Sequence, residues 1–299
     1  MASLDDRTRG LIRQRIVSRV KDIPSLPQMV LQTLKKLDDP KSSAADVADR
    51  LSRDEGLVLR VLKLANSAYY GMPRRVSSVT EAIPYLGYRT VKSLVLAASV
   101  FQHMDKPLAG YALDRGDLWH HSLAVAVSSR HIVEKITGKK IIDPEEAYIA
   151  GMLHDIGKIV LNDYIRFGYG LIVRMVEEEQ VPFMEAEREV LGFDHAEVGA
   201  QLIEQWQLPD SFVAVARYHH DPESLPEEAS SEERLLLDVV HVANVMTLML
   251  GAGLGADGLQ YPLSEAALER LAIPDPESLL GELVDCITSL DEELPAEDA

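Results

Sequence analysis

The chain has 299 residues, 46% apolar and 26% charged, the balance of an ordinary globular protein with room for two domains or one large one. Its formal net charge of −18 excludes the phosphate neutralisation on which non-specific nucleic-acid binding depends. No apolar run reaches the ~18 residues that span a bilayer, "MASLDDRTRG" lacks a signal-peptide core, and the single Cys286 cannot close an internal disulfide, so a reducing cytoplasm is the expected location and no membrane is expected as partner.

In chain order, the pattern predicts helices almost throughout. "LIRQRIVSRV" sets Leu11, Ile12, Ile16, Val17 and Val20 at helical spacing. "IPSLPQMVLQTLKKLDD" starts after prolines and continues through Met29, Val30, Leu34 and Leu37. "SSAADVADRLSRD" opens with Ser43 ahead of Asp46, the spacing of a capping box. "SVTEAIPYLG" repeats it with Ser78 and Glu81, before a helix running to about Met104. No segment alternates as a strand would.

Breaks fall at "MDKPLAGYALDRGD" (104–117), at "HHDPESLPEEASSEE" (219–233) and at "GAGLGADG" after residue 250. Beyond them "LSEAALERLA" and "ESLLGELVDCITSL" are amphipathic and should dock as helices. No Lys or Arg follows Arg270, and "DEELPAEDA" closes the chain as a solvated acidic tail.

The histidines carry the chemistry. All nine fall between His103 and His241, most of them in the middle block and with no cysteine near. In "DLWHHSLAVAVSSRHIVEKI", His121 shares a face with Ala124, Val125, Ser128 and Ile132, while His120 lies about 100° away, and periodicity alone leaves both open. In "AYIAGMLHDIGKIVLNDY", His154 and Asp155 stand side by side in apolar surroundings, with Lys158 on the face of His154. In "FDHAEVGAQLIEQW", Asp194 can cap a helix that aligns His195 with Val198, Gly199, Leu202 and Trp206. His219 and His220 end a helical run.

A lone histidine on an apolar face is ordinarily a satisfied core residue. Several segments each offering one, with an adjacent carboxylate, suit a borderline divalent ion such as iron, manganese, zinc or nickel. One ion would satisfy together polar groups whose separate burial costs a few kcal/mol each.

"IPSLPQMVLQTLKKL", "SRDEGLVLRVLKLANSAYYG" and "VSSVTEAIPYLGYRTVKSLVL" together resemble the HDOD family of bacterial signalling proteins. The most specific element is Asn66-Ser67 at the end of an apolar helix, followed by an "AIxxLG" stretch from Ala82 to Gly87. The likeness covers roughly residues 20 to 250. The second half resembles the wider HD superfamily of metal-dependent phosphohydrolases, and the HD-GYP phosphodiesterases in particular.

Carried over, His121 matches the leading histidine, His154 and Asp155 the HD pair, and Lys158 the lysine that follows it. His195 matches the histidine of the next helix, and His219 with His220 the double histidine. Where that pattern closes on an aspartate, this chain has Asn244, and "HHDPESLP" replaces the GYP loop.

The resemblance implies an all-α fold: an N-terminal helical bundle over residues 1–105, packed on an HD-like metal-binding bundle over 106–253, with C-terminal helices and tail over 254–299. It implies one or two divalent transition-metal ions, iron or manganese before zinc or nickel. Asp155 would bridge His121, His154 and Asn244 on one side to His195, His219 and His220 on the other, with Lys158 offsetting charge. The expected function is regulatory signal transduction through an unidentified signalling protein. The alternative is a phosphohydrolase acting on a nucleotide or phosphate ester, with Asp155 and Lys158 in catalysis.

Overall fold

The structure is a computed structural model that describes Gly10 and residues 26–136, 142–253, 255–256 and 261–291. The helix expected over 11–20 and the acidic tail after Asp291 lie outside the described residues, as does part of "GAGLGADG". Among the described residues there are α-helices and short 3-10 turns but no strand, only an isolated bridge between Leu108 and Leu113. The all-α expectation is met. Two compact units divide the chain, one chiefly Ser25–Gln102 and the other chiefly His103–Leu280.

The smaller unit begins with α1 (Gln28–Asp38), α2 (Ala44–Leu51) and α3 (Glu55–Ala65). Each buries a stripe at helical spacing: Val30, Leu34 and Leu37, then Val47 and Leu51, then Leu57, Val61 and Leu64. The capping box forms as expected, with Asp46 N–H donating to Ser43 Oγ (3.2 Å) and Ser43 N–H donating to Asp46 Oδ2 (2.9 Å).

Asn66 caps the end of α3 and ties it down. Its Nδ2 donates to Leu62 O and to Val76 O, each at 2.9 Å, and its Oδ1 accepts from Val76 N–H at 2.7 Å.

The next helix, α4 (Val79–Met104), differs from expectation in two ways. It is broken at Gly87, whose φ of 80° and ψ of 165° are not helical. Its second capping contact also shifts by one residue. Glu81 N–H does donate to Ser78 Oγ (3.2 Å), but the Glu81 carboxylate reaches back to Ser77 N–H (2.9 Å).

The larger unit contains α5 (Asp117–Lys135), α6 (Pro144–Leu153), α7 (Lys158–Glu178), α8 (Phe183–Leu191), α9 (His195–Gln205), α10 (Asp210–Tyr218), α11 (Ser231–Met249) and α12 (Glu265–Leu271). The last helix is α13 (Pro276–Asp291). In α6 every residue from Ala147 to Leu153 is buried, so beyond its first turn it is a central helix with no solvent face. It packs on α5 and α11, which are themselves in contact, while α10 touches α6, α9 and α11. The expected C-terminal helices are present, and α12 lies against α11. Arg270 holds it there, its guanidinium bonding both oxygens of the buried Asp238 (2.7 and 2.8 Å) and the Glu223 carboxylate.

Candidate metal centre

Helix ends and buried helix faces deliver the histidines. On α5 it is His121, not His120, that joins the fully buried stripe, so the structure settles what periodicity left open. His154 caps the end of α6, and Asp155 lies in the short turn before α7, so the HD pair sits at a helix junction rather than inside a helix. Gly157 makes that junction possible. A Cβ there would collide with the backbone of His195 and Gly199, so only glycine lets the turn meet the start of α9.

Asp194 caps α9 as expected, accepting from Glu197 N–H at 2.7 Å, and so sets His195 in the first helical turn. His219 and His220 follow the last turn of α10. Asn244 lies on the buried face of α11.

Six of the seven expected ligands come together around Asp155. Its Oδ2 lies 3.3 Å from His154 Nε2, 3.6 Å from His121 Nε2 and 2.7 Å from Lys158 Nζ. Its Oδ1 lies 3.4 Å from His219 Nε2 and 3.5 Å from His195 Nε2. His220 closes this second group, with its Nε2 2.9 Å from that of His195. Asp155, His195, His219 and His220 therefore form one ligand group, and His121, His154 and Asp155 another, each with donor atoms within 4.8 Å of one another. The seventh, Asn244, is buried with its Oδ1 lacking a hydrogen-bond partner.

Three of the rings are anchored alike. Nδ1 of His121 bonds Ala252 O (2.9 Å), Nδ1 of His154 bonds Gly151 O (2.7 Å), and Nδ1 of His219 bonds Ala216 O (2.9 Å). A carbonyl can only accept, so each Nδ1 carries a proton, and in its neutral form each ring presents the Nε2 lone pair to Asp155. Those three Nε2 atoms, and Asp155 Oδ1, have no hydrogen-bond partner although they are buried. Orphaned acceptors at this density are costly unless a cation receives them. The donor set fits a divalent metal.

The electrostatics agree. Burial drives His121 down to about 4, helped by the neighbouring His154, and drives His219 down to about 4. Burial and the adjacent His219 hold His220 well below the usual histidine range. Burial opposes charge on Asp155, yet Lys158 and His154 hold it well below the usual carboxylate range. His121, His219 and His220 are therefore neutral imidazoles beside an ionised carboxylate, the protonation states that ligation requires.

His195 is the exception: burial disfavours its charge, but Glu187 outweighs this and raises it to about 9.

Sequence reasoning missed Glu187. This fully buried carboxylate on α8 accepts from His195 Nδ1 (2.7 Å), His195 N–H (3.0 Å) and Tyr111 Oη (2.6 Å). The signal was present, since Phe183, Glu187, Val190 and Leu191 share one helical stripe and Glu187 is its charged member. It also missed the cover of the site. Tyr261 stacks on His220 with centroids 3.6 Å apart, and its Oη accepts from Met184 N–H at 3.1 Å. Nothing in the spacing around Tyr261 marks it, because the contact is long-range.

The HDOD domain family matches residues 23–222. An HDOD domain protein of unknown function from Geobacter sulfurreducens is 28% identical, with 97% of this chain and 99% of that one covered at a TM-score of 0.75. A candidate phosphohydrolase from Shewanella amazonensis SB2B shares the fold at 24% identity and a TM-score of 0.71, covering 93% and 97% of the two chains. An uncharacterized protein of Treponema pallidum is 29% identical over 216 residues, which are 71% of this chain. The chain spans 40% of that relative's length.

Proposed function

The chain belongs to the HDOD family, and from that premise we propose that it is a regulatory protein of signal transduction, built around a divalent-metal centre and acting through a partner protein. In this reading residues 106–253 form the metal-binding part, residues 1–105 a helical part that presents surface to the partner, and residues 254–299 an accessory C-terminal part. The protein works in the cytoplasm. Among the described residues no helix is long and apolar enough to cross a membrane.

The observation that carries the reading is enclosure. His121, His154, Asp155, His195, His219 and His220 are each at most 8% exposed, and Tyr261 lies flat on the most exposed of them, His220. A phosphate ester needs an open coordination position and a path to it. A centre closed in this way suits metal held for structure and signalling better than turnover.

His121, His154, Asp155 and Asn244 would hold one ion and His195, His219 and His220 a second, with Asp155 shared. The mixed nitrogen and oxygen donors favour iron or manganese, ahead of zinc or nickel. A bound ion would supply Lewis acidity and an activated water. The second reading, a metal-dependent phosphohydrolase, draws on Lys158, whose Nζ is 2.7 Å from Asp155 Oδ2 and could neutralise an added phosphoryl charge.

Elemental analysis of untagged protein, together with an aryl phosphodiester assay, separates the two. Stoichiometric metal without turnover is expected. Turnover abolished by Lys158→Met and by Asp155→Ala would establish the phosphohydrolase instead.

A further inference from the structure

The histidines of the centre are not oriented in the same way. His121, His154 and His219 each give Nδ1–H to a backbone carbonyl, a neutral acceptor that no side-chain substitution can remove. His195 gives its Nδ1–H to a side-chain carboxylate, that of Glu187. The carboxylate is fully buried and uses both oxygens, Oε2 for the His195 ring and amide and Oε1 for the Tyr111 hydroxyl.

Tyr111 is itself fixed. It ends the 3-10 turn Ala109–Tyr111, where Gly110 N–H donates to Asn162 Oδ1 on α7 at 2.9 Å. Tyr111, Glu187 and His195 thus form a buried chain of hydrogen bonds from the 3-10 turn through α8 to the centre, and no end of it is left to solvent.

We propose that Glu187 is a positioning residue for metal binding: with Tyr111 behind it, it fixes the Nδ1–H tautomer of His195 and makes Nε2 the most basic nitrogen presented to the ion. The inference rests on the metal centre proposed above and deepens it. A carboxylate on the far nitrogen of an imidazole raises the donor strength of the near one, and loss of such a partner lowers metal affinity by about 10–100-fold. A neutral carbonyl orients a ring with a smaller gain, because it carries no full charge. The group around His195 would then bind its ion more tightly than the group around His121 and His154.

The competing explanation is that Glu187 merely steadies the start of α9, beside the Asp194 cap. Glu187→Gln tells the two apart, because it keeps shape and can keep all three contacts while removing the charge. The probe is Mn2+ added to the metal-free full chain, with free ion read by electron paramagnetic resonance and folding by thermal melting. Glu187→Gln should weaken the tighter Mn2+ class by about 10–100-fold while the metal-free chain still unfolds in one cooperative melt. Asn66→Ala, which costs stability away from the centre, should leave Mn2+ affinity unchanged.

Equal losses in the two variants would make Glu187 structural and overturn the inference. So would a wild type that binds Mn2+ beside a Glu187→Gln variant that binds it equally well, an outcome that leaves the metal centre standing. A wild type that binds no metal would remove the centre and this inference together. If Glu187→Gln does not fold, Tyr111→Phe decides, with weaker Mn2+ binding expected and unchanged binding overturning the inference.

Discussion

Lys158 holds its Nζ 2.7 Å from Oδ2 of Asp155, and both side chains are at most 5% exposed. The lysine occupies one edge of the carboxylate that the histidines surround, so it offsets the anion whether or not an ion is present. Lys158→Met would leave the carboxylate uncompensated in the metal-free protein, at a cost of about 3–5 kcal/mol. The metal-free variant should melt well below wild type, and added divalent ion should recover more of the loss than it gives wild type. Thermal melts with and without Mn2+ check this, and equal shifts in both proteins would contradict it.

Stability of the metal-free protein should peak between mildly acidic and mildly basic pH. His121 and His219 fall to about 4 from the ordinary 6.5, so below 6.5 the unfolded chain binds more protons than the folded one. Their contribution is present above 6.5 and is lost as pH falls from there toward 4. His195 works in the opposite sense. Raised to about 9, it contributes below 6.5 and loses that contribution as pH rises toward 9. Melting temperature across this range is the measurement, and bound metal should steepen the loss on the acid side because protons compete for the ligands.

The fold and the inward histidines were legible because both rest on local pattern. Helical stripes such as Val30, Leu34 and Leu37 follow from spacing alone, as does the Asp194 cap that aims His195. Spacing did not choose between His120 and His121, since that depends on which side of α5 meets α6 and α11, and only the family likeness pointed to His121. The Tyr261 cover and the bond that His121 donates to Ala252 O were hidden as contacts across long sequence separations. Glu187 was legible in principle as a charge on an apolar stripe, but the two other acidic residues in "MEAEREVL", Glu185 and Glu189, masked it. The break at Gly87 was hidden because helical pattern continues on both sides of it.

Asn66→Ala should destabilise the fold. The side chain satisfies Leu62 O and both backbone groups of Val76, so its removal leaves several polar groups without their partner. A loss of about 1–3 kcal/mol is expected from denaturant melts. An unchanged midpoint would move the role of this residue from structure to contact.

Asn244→Asp should tighten metal binding. The amide oxygen is buried without a hydrogen-bond partner, and a carboxylate there adds the anionic ligand that a hard divalent ion prefers. Mn2+ titration should show the weaker class strengthened, and aryl phosphodiester turnover is the sensitive readout for latent chemistry. Weaker binding in Asn244→Asp would exclude this position from the ligand set.

The central claim is that the buried cluster exists to hold metal, and metal content per chain in untagged wild type beside Asp155→Ala tests it most directly. Asp155 is the carboxylate common to both ligand groups, so its removal takes away the shared ligand of the whole set. Wild type should carry stoichiometric divalent transition metal, with Asp155→Ala losing most of it and melting lower. Wild type without transition metal, and an Asp155→Ala variant that melts where wild type does, would contradict the account.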